Sequence, residues 1–274
     1  MYDGILVATD GSEVAERAGT AAISMAERFD AELHVISVFT SRGAGEDDAA
    51  DAVDSVADAA AAAGLEPATE VVAKHYDDLT HRTILDYAEA NGVDAIVMGT
   101  HGRTGVNRFL LGSVAELTLR ESPIPVVTVH EDTDIEFDVD RILVPTDGSD
   151  GAQAAIDHAI GLATDVGATL HFLHVTPSEF SEVTERASPD PIDDAVARTG
   201  EAGLDDVETA HRFGQPYKEI ADYVTEAEID CIVMGTHGRT GLRRYLLGSV
   251  TERTVRFSPV PVISVKADRV TTTM

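Results

Sequence analysis

Residues 99–114 read GTHGRTGVNRFLLGSV, and residues 235–250 read GTHGRTGLRRYLLGSV. The two stretches differ only at Val106/Leu242, Asn107/Arg243 and Phe109/Tyr245. Their glycines keep the same spacing, and glycine is the residue that tolerates positive φ and close approach by other atoms. The repeat therefore indicates two copies of a loop whose backbone shape is required, and binding of a small ligand is one candidate reason.

The duplication extends far beyond this loop. The further matching pairs are GILVATDGS at 4–12 with RILVPTDGS at 141–149, LHVISV at 33–38 with LHFLHV at 170–175, and SPIPVVTV at 122–129 with SPVPVISV at 258–265. The members of each pair are separated by nearly the same length of chain, which is far longer than the period of a solenoid repeat. We predict two tandem domains, 1–136 and 137–274.

Each half alternates short β-branched runs with segments long enough for helices, which is the pattern of a parallel sheet with crossover helices. In the first half the predicted strands are 5–9, 33–38, 68–73, 95–98 and 126–129, and the predicted helices are 12–29, 47–63, 79–91 and 113–120. An alanine stripe at helical spacing on the first helix is typical of core packing. The counterpart of the second helical segment contains Pro189 and Pro191, which predicts a shorter connection at this place in the second domain.

The composition excludes several classes of partner. The 274 residues carry a formal net charge of −29, which argues against binding to nucleic acid or to an anionic membrane. No apolar run approaches the length of a membrane span, and the chain starts without a secretory signal pattern, so we expect a cytoplasmic protein. The single cysteine, Cys231, fits a reducing compartment. Many acids, few lysines and many alanines resemble the proteins of halophilic organisms, and an ordinary acidic cytosolic protein is the alternative.

The repeated loop combines features that favour phosphate binding. In an open parallel sheet, ligands gather beyond the carboxyl ends of the strands, so the TDGS and GTHGRTG segments are predicted to meet there. The Gly112-Ser113 pair opens a helix whose first amides have no partner inside the helix. The loops also carry positive charge in a very acidic chain, at Arg103, Arg108, Arg239, Arg243 and Arg244. The alternative is a glycine loop kept only for strand-to-helix geometry, with the arginines as solvated surface.

Other residues of these segments have two interpretations each. The spacing is neither a Walker A loop nor the dinucleotide fingerprint G-x-G-x-x-G. His101 and His237 lack nearby metal-ligand partners in sequence, so we favour a role in orienting the backbone or touching a ligand. Asp10 and Asp147 either form a turn or accept hydrogen bonds from a ribose or base edge. No arrangement of Ser, His and Asp indicates a nucleophile.

The spacing Gly-x2-Gly-x9-Gly-Ser after a fourth strand resembles the ATP-binding signature of universal stress proteins, and the resemblance covers nearly the whole chain as two domains. It implies an α/β fold with two doubly wound, flavodoxin- or Rossmann-like domains. Each domain would hold a five-stranded parallel sheet of order 3-2-1-4-5 with helices on both faces. The resemblance also implies that each domain binds ATP, or ADP or AMP, usually with Mg²⁺.

The resemblance assigns the nucleotide to matching positions in the two domains. The adenine and ribose positions are Thr9, Asp10 and Val38, then Thr146, Asp147 and Val175. The phosphate positions of the first domain are Met98, Gly99, His101, Gly102, Gly112, Ser113 and Val114. Those of the second domain are Met234, Gly235, His237, Gly238, Gly248, Ser249 and Val250.

One departure from the family pattern lies between the third strand and its helix. The second domain has the family's Gly-x-Pro as Gly214-Gln215-Pro216, where the first has Asp78-Leu79-Thr80. The additional carboxylate is expected to weaken anion binding in the first domain. The resemblance also implies that the two domains pair through their fifth strands as an intramolecular pseudo-dimer, with further association as a homodimer possible.

These features lead to three hypotheses about function. The first is a cytoplasmic stress-response sensor or regulator that binds an adenine nucleotide in each domain and hydrolyses it slowly at most, since no general base is evident. The second is an enzyme, a nucleotide hydrolase or adenylyl transferase. The third is an interaction scaffold that binds no nucleotide.

Overall fold

The structure, a computed structural model, describes residues 1–40, 45–102, 111–133, 137–177, 190–238 and 246–267. Its contacts divide the chain into two compact units. The first comprises Met1–Asp138 and Val255–Val262, and the second comprises Val139–Thr254 and Ile263–Met274. Below, residues 1–138 are called the first domain and residues 139–274 the second.

The first domain alternates strands and helices as predicted. Its strands are β1 (Gly4–Ala8), β2 (Glu32–Thr40), β3 (Ala68–Lys74), β4 (Ala95–Gly99) and β5 (Val126–Val129). Its helices are α1 (Glu13–Phe29), α2 (Glu46–Ala62), α3 (Thr80–Ala90) and α4 (Ser113–Glu121). The apolar strand runs are buried as expected of strands covered on both faces, and Ile5, Val7 and Ile96 have no exposed surface.

The sheet of the first domain is parallel, with the strand order β3-β2-β1-β4-β5. This is the predicted order 3-2-1-4-5. Helices α1 and α2 contact each other, and so do α3 and α4, which gives two helical layers on the sheet. The predicted alanine stripe of α1 is buried, and a methyl group on Gly19 would lie 2.9 Å from Cγ2 of Val56, so glycine permits the close packing of α1 on α2.

The second domain repeats this architecture. Its strands are β6 (Arg141–Pro145), β7 (Thr169–Pro177), β8 (Val207–Gly214), β9 (Cys231–Gly235) and β10 (Val262–Val265), in the order β8-β7-β6-β9-β10. Its helices are α5 (Asp150–Val166), α6 (Pro191–Glu201), α7 (Pro216–Glu226) and α8 (Ser249–Phe257). Helix α6 has 11 residues against 17 in α2. The connection that contains it spans residues 178–206, against 41–67 in the first domain, so the predicted shortening of the connection is wrong and only the helix is shorter. Cys231 is buried, and burial raises the pKa of its thiol.

In each domain, a carboxylate just before the fourth strand accepts hydrogen bonds from the main chain at the start of the first strand. Oδ2 of Asp94 accepts from the amides of Asp3 and Gly4 at 2.8 and 3.0 Å. In the second domain Oδ2 of Asp230 accepts from the amides of Asp140 and Arg141 at 2.9 and 2.7 Å. The carboxylate therefore ties the start of the central strand to the start of the neighbouring fourth strand.

Candidate functional site

The carboxyl ends of the first and fourth strands lie side by side, as predicted. Strand β1 lies between β2 and β4, with Ala8 in register with Ile36 on one side and with Met98 on the other. The amide of Thr9 continues the ladder by donating to the carbonyl of Ile36 at 2.9 Å. The TDGS segment and the glycine loop therefore leave neighbouring strands at the point where the winding reverses, the usual place for a ligand in such sheets.

The TDGS segment of the first domain is a tight turn held by its own side chains. Oδ1 of Asp10 accepts from the amide of Ser12 at 3.1 Å, and Oγ1 of Thr9 accepts from the amide of Gly11 at 3.2 Å. Gly11 has a φ of 72°, which glycine adopts without strain. The hydroxyl of Ser12 caps α1 by accepting from the amide of Ala15 at 3.3 Å. Ser12 thus provides a side-chain cap for α1, and one oxygen of Asp10 serves the turn.

The second domain repeats this turn closely. Oδ1 of Asp147 accepts from the amide of Ser149 at 3.0 Å, and Oγ1 of Thr146 accepts from the amide of Gly148 at 3.2 Å. The hydroxyl of Ser149 caps α5 through the amide of Ala152 at 3.3 Å. The two carboxylates are therefore presented by the same local geometry.

The second glycine of the loop lies directly against this carboxylate. A methyl group on Gly102 would overlap Oδ2 of Asp10, and one on Gly238 would lie 2.8 Å from Oδ2 of Asp147. The glycine thus lets the loop after the fourth strand pass beside the turn after the first. This contact brings the two predicted halves of the site together in each domain.

The first glycine of the loop has a packing role. A methyl group on Gly99 would lie 2.9 Å from Cγ1 of Val14 in α1. In the second domain a methyl group on Gly235 would overlap the main chain of Gly151 in α5. At this position the strand-to-helix interpretation accounts for the glycine by itself.

The third glycine joins the loop to the next helix. The amide of Gly112 donates to the carbonyl of Thr100 at 2.8 Å, and a methyl group on Gly112 would lie 3.2 Å from Cα of His101. The amide of Gly248 makes the equivalent bond to the carbonyl of Thr236 at 2.9 Å. The start of the helix is therefore fixed beside the residue that follows the fourth strand.

Helix α4 begins without a side-chain cap, in contrast to α1. Gly112 is its N-cap and provides no side chain for the first-turn amides. Ser113 is exposed and Val114 is half-buried, and their counterparts Ser249 and Val250 have the same exposure. Uncapped amides, the positive end of the helix dipole and a nearby hydroxyl form an arrangement that binds anions.

The loop histidines are oriented by their neighbours. Nδ1 of His101 lies 3.2 Å from Oγ1 of Thr100, and Nδ1 of His237 lies 2.9 Å from Oγ1 of Thr236. Nε2 of His237 is buried and has no hydrogen-bond partner among the residues that the structure describes. Burial, and secondarily the charge of Lys266, lowers the pKa of His237, which favours its neutral form.

The remaining predicted residues are buried or half-buried in the strands. Met98 and Met234 are 5% exposed, so their side chains belong to the core. Val38 and Val175 lie half-buried in the second strand of each domain. The five loop arginines that the sequence singled out lie outside the described residues.

The turn between the third strand and its helix corrects one sequence comparison. In the second domain only Gln215 separates β8 from α7, whereas residues 75–79 separate β3 from α3. The first domain therefore has a longer turn, and Asp78 is not a simple replacement for Gly214. Oδ2 of Asp78 accepts from the amide of His75 at 3.0 Å within this turn. Its predicted effect on anion binding stays a prediction.

A groove of about 580 Å³ borders the longer turn, and none of its lining residues is a predicted site residue. Lys74, Leu79, Arg82 and Tyr87 line it together with three aspartates. Nζ of Lys74 donates to the carbonyl of Asp78 at 2.8 Å, so this cation stabilises the turn.

One neighbour of the site was not predicted. In the second domain Nδ1 of His174 lies 2.8 Å from the carbonyl oxygen of Thr146, at the end of the central strand. The ring of His174 packs edge-on against that of His211, whose Nε2 lies 2.7 Å from Oδ2 of Asp190. The equivalent position in the first domain is Ser37, so the contrast between LHVISV and LHFLHV contained this signal.

Comparison with known proteins places this geometry in a family. Residues 1–130 and 138–266 each match the universal stress protein family. The chain belongs to that family. It carries two universal stress protein domains in tandem, as the repeated motifs predicted.

Individual relatives agree with this assignment. A universal stress protein of Methanocaldococcus jannaschii is 35% identical over 138 residues, which cover 46% of this chain and 81% of that protein. One of Mycolicibacterium smegmatis is 30% identical over 199 residues, which cover 68% of this chain and 65% of that protein. The crystal structure of a universal stress protein from Archaeoglobus fulgidus is 25% identical, with a TM-score of 0.77 over 97% of this chain and 99% of that one.

Two further observations concern this universal stress protein as a whole. Within the described ranges, no helix is both long and apolar enough to cross a bilayer. The same ranges contain no group of three or more His, Cys, Asp or Glu side chains arranged to hold a metal ion.

Proposed function

We propose that each domain binds ATP or a related adenine nucleotide, and that the protein acts in the cytoplasm as a stress-response sensor or regulator. The observation that carries this proposal is the contact between the second loop glycine and the TDGS carboxylate, beside an uncapped helix start. The contact occurs in both domains, at Gly102 and Asp10 and at Gly238 and Asp147, and the uncapped helix start is that of α4 in the first domain.

The residues at the two strand ends fit the two parts of a nucleotide. The first-turn amides of α4 and the hydroxyl of Ser113 are donors, which suit phosphate oxygens. Oδ1 of Asp10 is bonded to its turn, and a carboxylate has acceptor capacity for a ribose hydroxyl beyond that bond. The start of α4 thus provides donors for phosphate, and Asp10 provides an acceptor for the sugar.

Magnesium fits this site as a companion of the nucleotide. Mg²⁺ keeps several waters and is often held by phosphates with few protein ligands. A site without a three-ligand cluster among the described residues is compatible with that mode. We therefore propose no protein cage for the ion.

Slow turnover is favoured over an enzymatic role. A hydrolase needs a base that positions and deprotonates the attacking water. One oxygen of Asp10 is bonded to the amide of Ser12, and Nδ1 of His101 lies against Oγ1 of Thr100. These contacts engage one atom of each group in holding the loops, which supports sensing over turnover.

The predictions about partners follow from charge and family. The net charge of −29 opposes binding to nucleic acid and to anionic membranes. Pairing of the two domains through their fifth strands, and association into a homodimer, stay predictions. Light scattering on the purified chain directly measures whether it forms a homodimer.

Calorimetric titration with ATP and magnesium, followed by an ATP consumption assay on the same sample, separates the three hypotheses. Binding with turnover far below the enzymatic median of about 10 per second supports the sensor. Faster turnover that disappears in Asp10→Asn/Asp147→Asn or His101→Gln/His237→Gln supports the enzyme. Absence of binding supports a scaffold and contradicts the proposal.

A further inference from the structure

The end of the last strand lies beside the glycine loop in the first domain. The amide of Thr100 donates to the carbonyl of Val129 at 3.0 Å, while the carbonyl of Thr100 accepts from the amide of Gly112 at 2.8 Å. One residue is therefore bonded both to the last strand and to the start of α4. His130 follows Val129 directly and thus lies next to the loop.

The second domain has the same pair of hydrogen bonds. The amide of Thr236 donates to the carbonyl of Val265 at 2.9 Å, and its carbonyl accepts from the amide of Gly248 at 2.9 Å. Lys266 follows Val265 directly. His130 and Lys266 are therefore structurally equivalent, and the two loops are flanked by different kinds of base.

His130 lies in a largely buried environment that favours its neutral form. Its side chain is 11% exposed, and its ring lies 6.0 Å from that of His101 in the loop. Burial lowers the pKa of His130, and the neighbouring His101 adds to this effect. Glu131 and Asp132, whose Oδ2 lies 3.9 Å from Nδ1 of His130, act in the opposite direction without reversing it.

Lys266 carries an ammonium group, a compact positive charge. Its charge reaches the loop, since it contributes to the lowered pKa of His237. The residue after Lys266 is Ala267, where the first domain has Glu131. At this position the second domain therefore has a cationic residue followed by alanine, where the first has a histidine followed by a carboxylate.

We propose that the residue after the last strand sets the charge preference of each nucleotide site. Lys266 makes the second domain the tighter site for a triphosphate, whereas the first domain, with His130, binds a triphosphate comparably only when that histidine is protonated. This inference rests on the proposed nucleotide binding and adds a functional difference between the two domains.

The difference depends on the charge of the ligand. A cation near the phosphates stabilises a triphosphate more than a monophosphate, because Coulomb energy scales with the product of the charges. For ATP we expect the second site to bind roughly three- to tenfold more tightly than the first at about pH 8, which is the size of one partly screened charge. For AMP the two sites should differ less.

The test uses full-length single-site proteins. Gly248→Leu leaves the first site intact, and Gly112→Leu leaves the second. ATP affinity is measured for each at about pH 8 and about pH 5, since the lower value must lie well below the ordinary histidine pKa to protonate a buried His130. Phosphate itself titrates near pH 6, but that change affects both sites alike, so the ratio of the two affinities is the readout.

Reciprocal substitutions make the test specific. His130→Lys should raise ATP affinity of the first site at about pH 8 by roughly three- to tenfold and remove its advantage at low pH. Lys266→His should give the second site the pH dependence of the first. Ala90→Lys is the matched control for the added charge, because α3 ends near the amino ends of the strands, opposite to the glycine loop. Lys218→Gln is the control for the removed charge.

A measurement on the unmodified chain guards against variants that fail to fold. The NMR titration of the His130 ring, with and without ATP, should show a higher pKa in the complex, because a bound anion stabilises the imidazolium. If both single-site proteins bind ATP but their affinity ratio is the same at both pH values, this inference is wrong and the nucleotide proposal stands. If neither binds an adenine nucleotide, both are wrong.

Discussion

The Cα atom of Gly102 lies against the carboxylate of Asp10, so closely that a methyl group there would overlap Oδ2. These residues are far apart in the chain and belong to different loops, each at the carboxyl end of a neighbouring strand. Their contact holds the two sides of the candidate site at a fixed separation. Its consequences can be measured without any knowledge of the ligand.

The first prediction concerns this contact. Gly102→Ala should lower the free energy of unfolding by about 1 to 3 kcal/mol, the usual cost of forcing an extra methyl into a packed position. Gly238→Ala should cost less, since its methyl would lie 2.8 Å from Oδ2 of Asp147. Denaturant unfolding measures both.

Two controls isolate the cause. In an Asp10→Ala background the obstructing oxygen is gone, so Gly102→Ala should lose most of its cost. Gly200→Ala lies in α6 with no atom near the added methyl and should be stabilising through helix propensity. An equal cost of Gly102→Ala in both backgrounds would show that the contact is not responsible.

The second prediction concerns the carboxylates that tie the strand starts together. Asp94→Ala should reduce the free energy of unfolding by about 1 to 3 kcal/mol, because two main-chain amides lose a charged acceptor. Asp230→Ala should have a similar effect. Asp86→Ala, on the exposed side of α3, is the matched control and should leave the free energy of unfolding unchanged. A comparable loss of stability in this variant would show that the hydrogen bonds of Asp94 have no special role.

The third prediction concerns pH and His158 in α5. Burial lowers the pKa of His158 to about 4. The unfolded chain binds this proton more tightly, so stability is lost as the pH falls below the unfolded pKa of about 6.5 and the loss is complete below about 4, reaching about 3 kcal/mol.

The comparison with His158→Gln isolates this contribution. Over the same range the protonation of carboxylates reduces the self-repulsion of the acidic chain, so the difference between the two proteins is the relevant quantity. The wild type should lose stability relative to the variant as the pH falls. Parallel pH profiles of unfolding would exclude His158 as the cause.

The fourth prediction concerns salt. A net charge of −29 destabilises the compact chain through self-repulsion, and salt screens it. Raising KCl from about 0.1 M to about 1 M shortens the Debye length from about 10 to about 3 Å, so the melting temperature should rise. Sucrose at matched osmolality should raise it less. A melting temperature that does not respond to KCl would contradict the halophilic interpretation.

The sequence predicted the strands from periodicity and duplication, whereas the sheet order came from the resemblance to universal stress proteins. The meeting of the TDGS and glycine segments follows from the general rule that ligands gather at the carboxyl ends of parallel strands. Both domains carry similar β-branched runs at the same separations, so a strand predicted in one half can be checked against its counterpart in the other. The contact of Gly102 with Asp10 follows once β1 and β4 are neighbours, since their carboxyl ends must then lie together.

The sequence conceals the longer turn at residues 75–79, because matching the helices that follow places Asp78-Leu79-Thr80 opposite Gly214-Gln215-Pro216. A strand end leaves a weak sequence signal, and residues on an exposed edge strand such as β3 need not be apolar. Pairing of β2 with β3, which places His34 opposite Ala68, fixes the strand and assigns the extra residues to the turn.

The difference between His130 and Lys266 was present in the sequence but had no meaning there. Each residue directly follows the last strand, and nothing in the one-dimensional pattern places that end beside the glycine loop. The hydrogen bonds of Thr100 and Thr236 do so. Charge at a site can therefore come from a segment that no motif marks.

The most direct test of nucleotide binding is the number of ATP molecules bound per chain at saturation, measured by equilibrium dialysis with magnesium. We predict two for the wild type and one each for Gly112→Leu and Gly248→Leu, since each substitution fills the turn between one loop and its helix. A wild-type value of zero, or a value of two that neither substitution changes, would contradict the proposal that these loops are the nucleotide sites.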